Sequence, residues 1–109
     1  MTQTEKRLDG RVALVTGASR GIGKAIAELF AEHGARVACT ARTLSEGGHY
    51  LGGSLEETIE EIRAAGGDAT AFACDVSEYP NCERLVNKVR DALGPVEVLI
   101  NNAALTYFI

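Results

Sequence analysis

Eight consecutive residues, Thr16-Gly17-Ala18-Ser19-Arg20-Gly21-Ile22-Gly23, decide most of what this chain can fold into. They follow the apolar, β-branched run Val12-Ala13-Leu14-Val15-Thr16, whose composition predicts a short parallel strand buried on both faces. After them, apolar residues recur at Ile22, Ala25, Ile26, Leu29 and Phe30, the spacing of a helix with one buried face, and Gly34 marks its stop. A turn this tight between strand and helix needs residues without a Cβ. The new helix presents its first N–H groups and the positive end of its dipole to the turn, which suits an anion such as a diphosphate.

The same unit then repeats along the chain. Arg36 to Ala41 reads as a second strand. Ser54 and Glu57 form a capping box opening a second helix, with Leu55, Ile59 and Ile62 as its apolar stripe and Gly66-Gly67 as its end. Ala69 to Cys74 reads as a third strand. Ser77 is the expected N-cap of a third helix that tolerates Pro80 in its first turn and buries Leu85, Val86, Val89 and Leu93. Gly94-Pro95 ends that helix, and Val96 to Ile100 is a fourth strand. The order β-α-β-α-β-α-β with short connections predicts an α/β fold of parallel strands joined by right-handed crossovers. Residues 1–10 read as a polar leader, and 43–53, with two Gly-Gly pairs, as an extended surface loop longer than such connections usually are.

Composition narrows the partners. The 109 residues carry a formal net charge of -4 with no basic block, so nothing favours nucleic acid or an anionic membrane. No apolar run is long enough to cross a bilayer, and the start of the chain is polar rather than signal-like. Cys39, Cys74 and Cys82 show neither C-x-x-C nor metal-ligand spacing and read as reduced, buried thiols of a cytoplasmic protein. His33 reads as a helix-end charge, and His49 has no metal partner at suitable spacing. Glu56, Glu57, Glu60 and Glu61 read as the solvated face of the second helix.

Two other glycine motifs can be set aside. A Walker-type loop requires Ser or Thr after its Gly-Lys, whereas Gly23-Lys24 is followed by Ala25. The closer G-x-G pair that opens other dinucleotide folds is absent after Thr16, where Gly17-Ala18 is followed by Ser19. The spacing T-G-x-x-x-G-x-G instead resembles the short-chain dehydrogenase/reductase family. Asp75-Val76, closing the third strand, and Asn101-Asn102-Ala103-Ala104, closing the fourth, extend the resemblance from about Gly10 to Ala104. Ala104 departs from the family's glycine and adds a methyl where backbone approaches cofactor.

The resemblance implies a Rossmann-like doubly wound sheet in the order 3-2-1-4 and a nicotinamide cofactor held by Gly17, Ala18, Ser19, Arg20, Gly21, Ile22 and Gly23. It gives Asp75 the adenine, Val76 the adenine pocket, and Asn102, Ala103 and Ala104 the ribose and central sheet. NAD-selective folds end the second strand with an acid that pairs with the ribose 2′-hydroxyl. Here that place reads Thr40-Ala41-Arg42-Thr43, with no carboxylate. Arg42, with Arg20 in the turn, can make charge-assisted bonds to a 2′-phosphate, so NADP is expected over NAD.

The family's chemistry is hydride transfer at a carbonyl or alcohol, with a Tyr acid/base, a Lys four residues later, and supporting Ser and Asn. Tyr50 is followed at that distance by Ser54 and Tyr79 by Glu83, while Tyr107 lies two residues from the end. No catalytic residue is therefore assigned, and the 109-residue chain alone is expected to be inactive. Only one βαβαβ half and a fourth strand are present, and that strand would be an unpaired apolar edge. The chain thus reads as the N-terminal part of a single domain whose parent is a homo-oligomeric oxidoreductase of a small molecule. The alternative is a non-catalytic dinucleotide-binding fragment or interaction module.

Overall fold

A computed structural model describes residues 6–18, 21–41, 55–75 and 78–101 of the chain. Its elements follow in the order β1 (Val12–Thr16), α1 (Gly21–Glu32), β2 (Arg36–Ala41), α2 (Leu55–Ala64), β3 (Asp68–Ala73), α3 (Tyr79–Leu93) and β4 (Val98–Ile100). All strand pairs are parallel, and the sheet order is β3-β2-β1-β4, the incomplete doubly wound arrangement expected from the sequence. Two successive crossovers build outward from β1 to β3. The third returns across the sheet to place β4 on the other side of β1.

Alternation along the strands divides the core into two layers. Ala13 and Val15 of β1, with Val37 and Cys39 of β2, face α1 and α2, where Ala27, Ala31, Leu55, Ile59 and Ile62 meet them. Val12, Leu14 and Ala38 face the opposite way, onto Leu85 and Val89 of α3. Every residue of β1 is buried, as a central strand covered on both faces requires. Gly34 and Gly66, both at φ +91°, end the first two helices where left-handed backbone is needed. Leu8, within the stretch read as a polar leader, packs against the first layer, and its N–H donates to the His33 carbonyl at 2.9 Å.

Three packing expectations are corrected. The helix α1 buries Gly23, Ala27 and Ala31, while Ile22 is 72% and Leu29 50% exposed, and Ala25 is also exposed. Small residues four apart let the helix axis approach the sheet, and the bulkier Ile26 and Phe30 fill the flank. On α3, Leu85 and Val89 are buried but Val86, a third of a turn further round, is 45% exposed. The N-cap of α3 is Glu78, in extended conformation and without a side-chain cap bond, rather than Ser77, which lies outside the described residues, as does Ser54. Pro80 does occupy the first turn. The acidic residues of α2 are exposed as expected.

Cys39 is completely buried in the first layer, and burial pushes its thiol up to about 12 from 9.0. The folded state thus holds the thiol protonated over a range where the unfolded chain ionises. This contribution is intact below about pH 9 and is lost as pH rises toward 12. Denaturant titrations of wild type and Cys39→Ala between these limits should show a steeper alkaline loss for wild type. Parallel slopes would remove the thiol as the cause.

Candidate functional site

The strand order creates one place where neighbouring crossovers leave in opposite directions, between the carboxyl ends of β1 and β4. Such a switch point opens a crevice beyond the sheet, where ligands of α/β proteins bind. The structure closes the base of this crevice with Thr16, the last residue of β1. Its Oγ1 lies 3.4 Å from the Ile100 carbonyl and 3.3 Å from Asn101 Oδ1, joining the ends of the two strands.

From Thr16 the chain turns through Gly17, at φ +67°, to Ala18. Ala18 is completely buried, and its methyl belongs to the first core layer. Its N–H donates to the Thr40 carbonyl at 3.0 Å, and its carbonyl accepts from Thr58 Oγ1 at 3.0 Å. The turn is thereby fixed to β2 on one side and α2 on the other. Thr58 is a buried hydroxyl within the α2 stripe, and its role was missed in the sequence. Only a polar residue one position before Ile59 in an otherwise apolar row pointed to it.

Helix α1 then begins at Gly21, at φ +62°, where a Cβ would meet nothing within 4 Å. Gly23 is buried against the sheet, while Ile22 stands exposed at the rim. Lys24 does not turn back toward this space. Its ammonium lies 2.9 Å from Glu61 Oε2, and that hydrogen bond raises its pKa, opposed by desolvation. The cation at the fourth position of the helix is thus committed to α2, and a helix N-terminus of this kind attracts an anion through its backbone amides and dipole.

Asp75 lies just past β3, where its carbonyl accepts from Asn81 Nδ2 at 3.2 Å. Thr40 Oγ1, near the end of β2, is buried without a hydrogen-bond partner among the described residues. The structure therefore brings Gly17, Ala18, Gly21, Ile22 and Gly23 together after β1, and places Asp75 and Asn101 at the ends of β3 and β4. Ser19, Arg20, Arg42, Thr43, Val76, Asn102, Ala103 and Ala104 lie outside the described residues. Open space above Gly21 lies at a helix N-terminus, and the carboxyl ends of β1, β3 and β4 face one side of the sheet. Among the described residues no cluster of three metal-ligating side chains occurs, and no helix is long and apolar enough to cross a membrane.

Comparison with known proteins decides the family. The sequence profile described as short chain dehydrogenase matches residues 11–108. The chain belongs to the short chain dehydrogenase family. This short chain dehydrogenase sequence is 42% identical over 99 residues to the 3-oxoacyl-[acyl-carrier-protein] reductase FabG of Vibrio cholerae, covering 91% of the chain and 36% of that relative. A metagenomic short-chain oxidoreductase crystallised with NADP superposes with a TM-score of 0.82 at 44% identity, over 93% of this chain and 42% of that one. An actinorhodin polyketide ketoreductase variant with NADPH gives 0.75 at 44% identity, over 87% and 33%. The chain thus spans about a third of the length of the curated relatives it matches.

Proposed function

We propose that this chain is the nucleotide-binding part of an NADP(H)-dependent oxidoreductase acting on the carbonyl/alcohol pair of a small molecule. The observation that carries the reading is the switch-point crevice, with its glycine turn fixed to two neighbouring elements and open space at the start of α1. Residues 1–109 form, in this reading, the N-terminal part of one Rossmann-type domain in a homo-oligomeric cytoplasmic enzyme. An NADP complex and an NADPH complex among the structural neighbours, and a 3-oxoacyl-[acyl-carrier-protein] reductase among the relatives, support the cofactor and the carbonyl.

The roles follow from chemistry. Backbone amides from Gly21 to Gly23, completed by Gly17, Ser19 and Arg20, hold the diphosphate at the helix terminus. The Asp75 carboxylate accepts a hydrogen bond from the adenine amine, and Val76 lines the adenine pocket. Asn102, Ala103 and Ala104 follow the strand that Thr16 and Asn101 tie down, and contact the ribose. Arg42, with Thr43 and Arg20, holds the 2′-phosphate. Ala18 acts through the core, setting the height of the turn. The bound cofactor supplies a hydride donor or acceptor, and the residues of this chain bind and orient it. No proton-transfer residue is assigned among them.

The 2′-phosphate reading has a direct test. Hydrogen bonds between charged groups contribute roughly 1.5–3 kcal/mol, so NADPH is expected to bind about 10–100-fold more tightly than NADH. Arg42→Ala should bring the two affinities close together while leaving NADH unchanged. Fluorescence titration of the 109-residue chain with both cofactors measures this, and equal wild-type affinities would remove the NADP assignment. Absorbance at the NADPH band should meanwhile show no turnover. Steady oxidation of NADPH by this chain would overturn its assignment as a binding part.

A further inference from the structure

Read from sequence, the three cysteines formed one class, but the structure separates them. Cys39 is sealed in the core, whereas Cys74 and Cys82 are only half-buried and lie at the same corner of the fold, where β3 ends and α3 begins. We propose that Cys74 and Cys82 form a dithiol modification site that reacts with small-molecule disulfides to give an intramolecular disulfide.

The geometry comes from a hydrogen bond. Cys74 Sγ lies 3.6 Å from the Asn81 carbonyl oxygen. That carbonyl belongs to the peptide bond leading into Cys82, whose Cα is roughly 2.8 Å from the same oxygen in a planar trans peptide. The Cys74 sulfur therefore sits beside the backbone of Cys82. Both backbones are pinned: Cys74 N–H donates to the Ala41 carbonyl at 2.9 Å, and Cys82 N–H to the Glu78 carbonyl at 3.3 Å. Asn81 Nδ2 also bonds the Asp75 carbonyl, so the two ends of the corner are already tied. The tied corner thus keeps the Cys74 sulfur and the Cys82 backbone next to each other. Their electrostatics carry the same proximity. Burial raises the Cys74 thiol first, then the Cys82 and Asp75 charges raise it, and Lys88 and Arg84 pull it down.

The first attack is assigned to Cys82, with Cys74 as the resolving thiol. The Cys82 thiolate attacks one sulfur of a disulfide such as oxidised glutathione, forming a mixed disulfide and expelling one glutathione thiolate. Cys74 then loses its proton and its sulfur attacks the Cys82 sulfur. The second glutathione thiolate leaves, and the two thiol protons end on the two glutathiones. Two protein thiols are oxidised and one small disulfide is reduced.

The sequence provides a clean readout. Trypsin places both cysteines on one peptide, Ala64 to Arg84, and Cys39 on another, Val37 to Arg42. After incubation of the 109-residue chain with oxidised glutathione and alkylation of remaining thiols, the first peptide should lack two hydrogens and carry no alkyl group. Cleavage after Glu78 should leave its halves joined. In Cys74→Ser the resolving thiol is gone, so glutathione should remain on Cys82 at a level at least about tenfold above wild type. Separate glutathionylation of both cysteines in wild type would overturn the proposal, as would two unmodified thiols in every variant. The peptide chemistry is independent of NADPH binding, so loss of the functional reading would leave this result standing.

Discussion

Replacing Gly21 by aspartate is expected to abolish dinucleotide binding while the chain still folds. Gly21 has left-handed backbone, with no atom within 4 Å of the place a Cβ would take. That conformation costs an ordinary side chain roughly 1–2 kcal/mol, and Asp and Asn visit it most readily. A carboxylate there would face the helix terminus and stand where the diphosphate is proposed to lie. Two like charges about 4 Å apart, at an effective dielectric near 20, repel by about 4 kcal/mol, roughly a thousandfold in affinity. Gly21→Asn is the control, with nearly the same volume and backbone strain but no charge, and should lose no more than about tenfold. NADPH titrations of both variants, with thermal melts beside them, separate charge from strain. Equal binding by the two would place the diphosphate elsewhere.

The features that were legible in the sequence are those fixed by backbone requirements. Glycines at Gly17, Gly34 and Gly66 stand at positive φ, so the turn and two helix ends could be placed from residue type alone. The limits of β1 and β2 matched because both are short apolar runs, while β3 begins at Asp68, one residue early, to pair with Arg36, and β4 begins only at Val98, two residues later than its apolar run. What misled was size. Periodicity weighs hydrophobicity, so Ile22 and Leu29 counted as core, yet close packing of α1 on the sheet is made by Gly23, Ala27 and Ala31. Ile22, displaced from the core, stands exposed beside the glycine turn. Thr58 was illegible for another reason. Its partner is the Ala18 carbonyl, 40 residues away in sequence, and nothing local announces a tertiary hydrogen bond.

A core built around small residues has a consequence for stability. Among the described residues Leu55 is the largest fully buried side chain, and it sits in a layer whose other members include Ala13, Ala18, Ala27, Ala31, Ala35 and Ala69. Alanines have no rotamers with which to close a void, and the sheet and helices that carry them are held by their own hydrogen bonds. Leu55→Ala should therefore fall in the upper part of the 2–5 kcal/mol range for such truncations, about 4 kcal/mol. A domain of this size holds only about 5–15 kcal/mol in total, and each kcal/mol moves the midpoint by about 4–8 °C. A fall of roughly 15 °C or more is expected. Leu29→Ala, which removes the same atoms from a half-exposed position on α1, should cost under about 1 kcal/mol. The loss at Leu55 also reaches the site, because Thr58 in the same turn of α2 holds the Ala18 carbonyl. NADPH affinity should thus weaken even well below the melting midpoint, where Leu29→Ala leaves it unchanged. Denaturant titrations and cofactor binding on the two variants decide this. Similar losses from both would mean that the layer closes around the cavity and that the turn does not depend on α2.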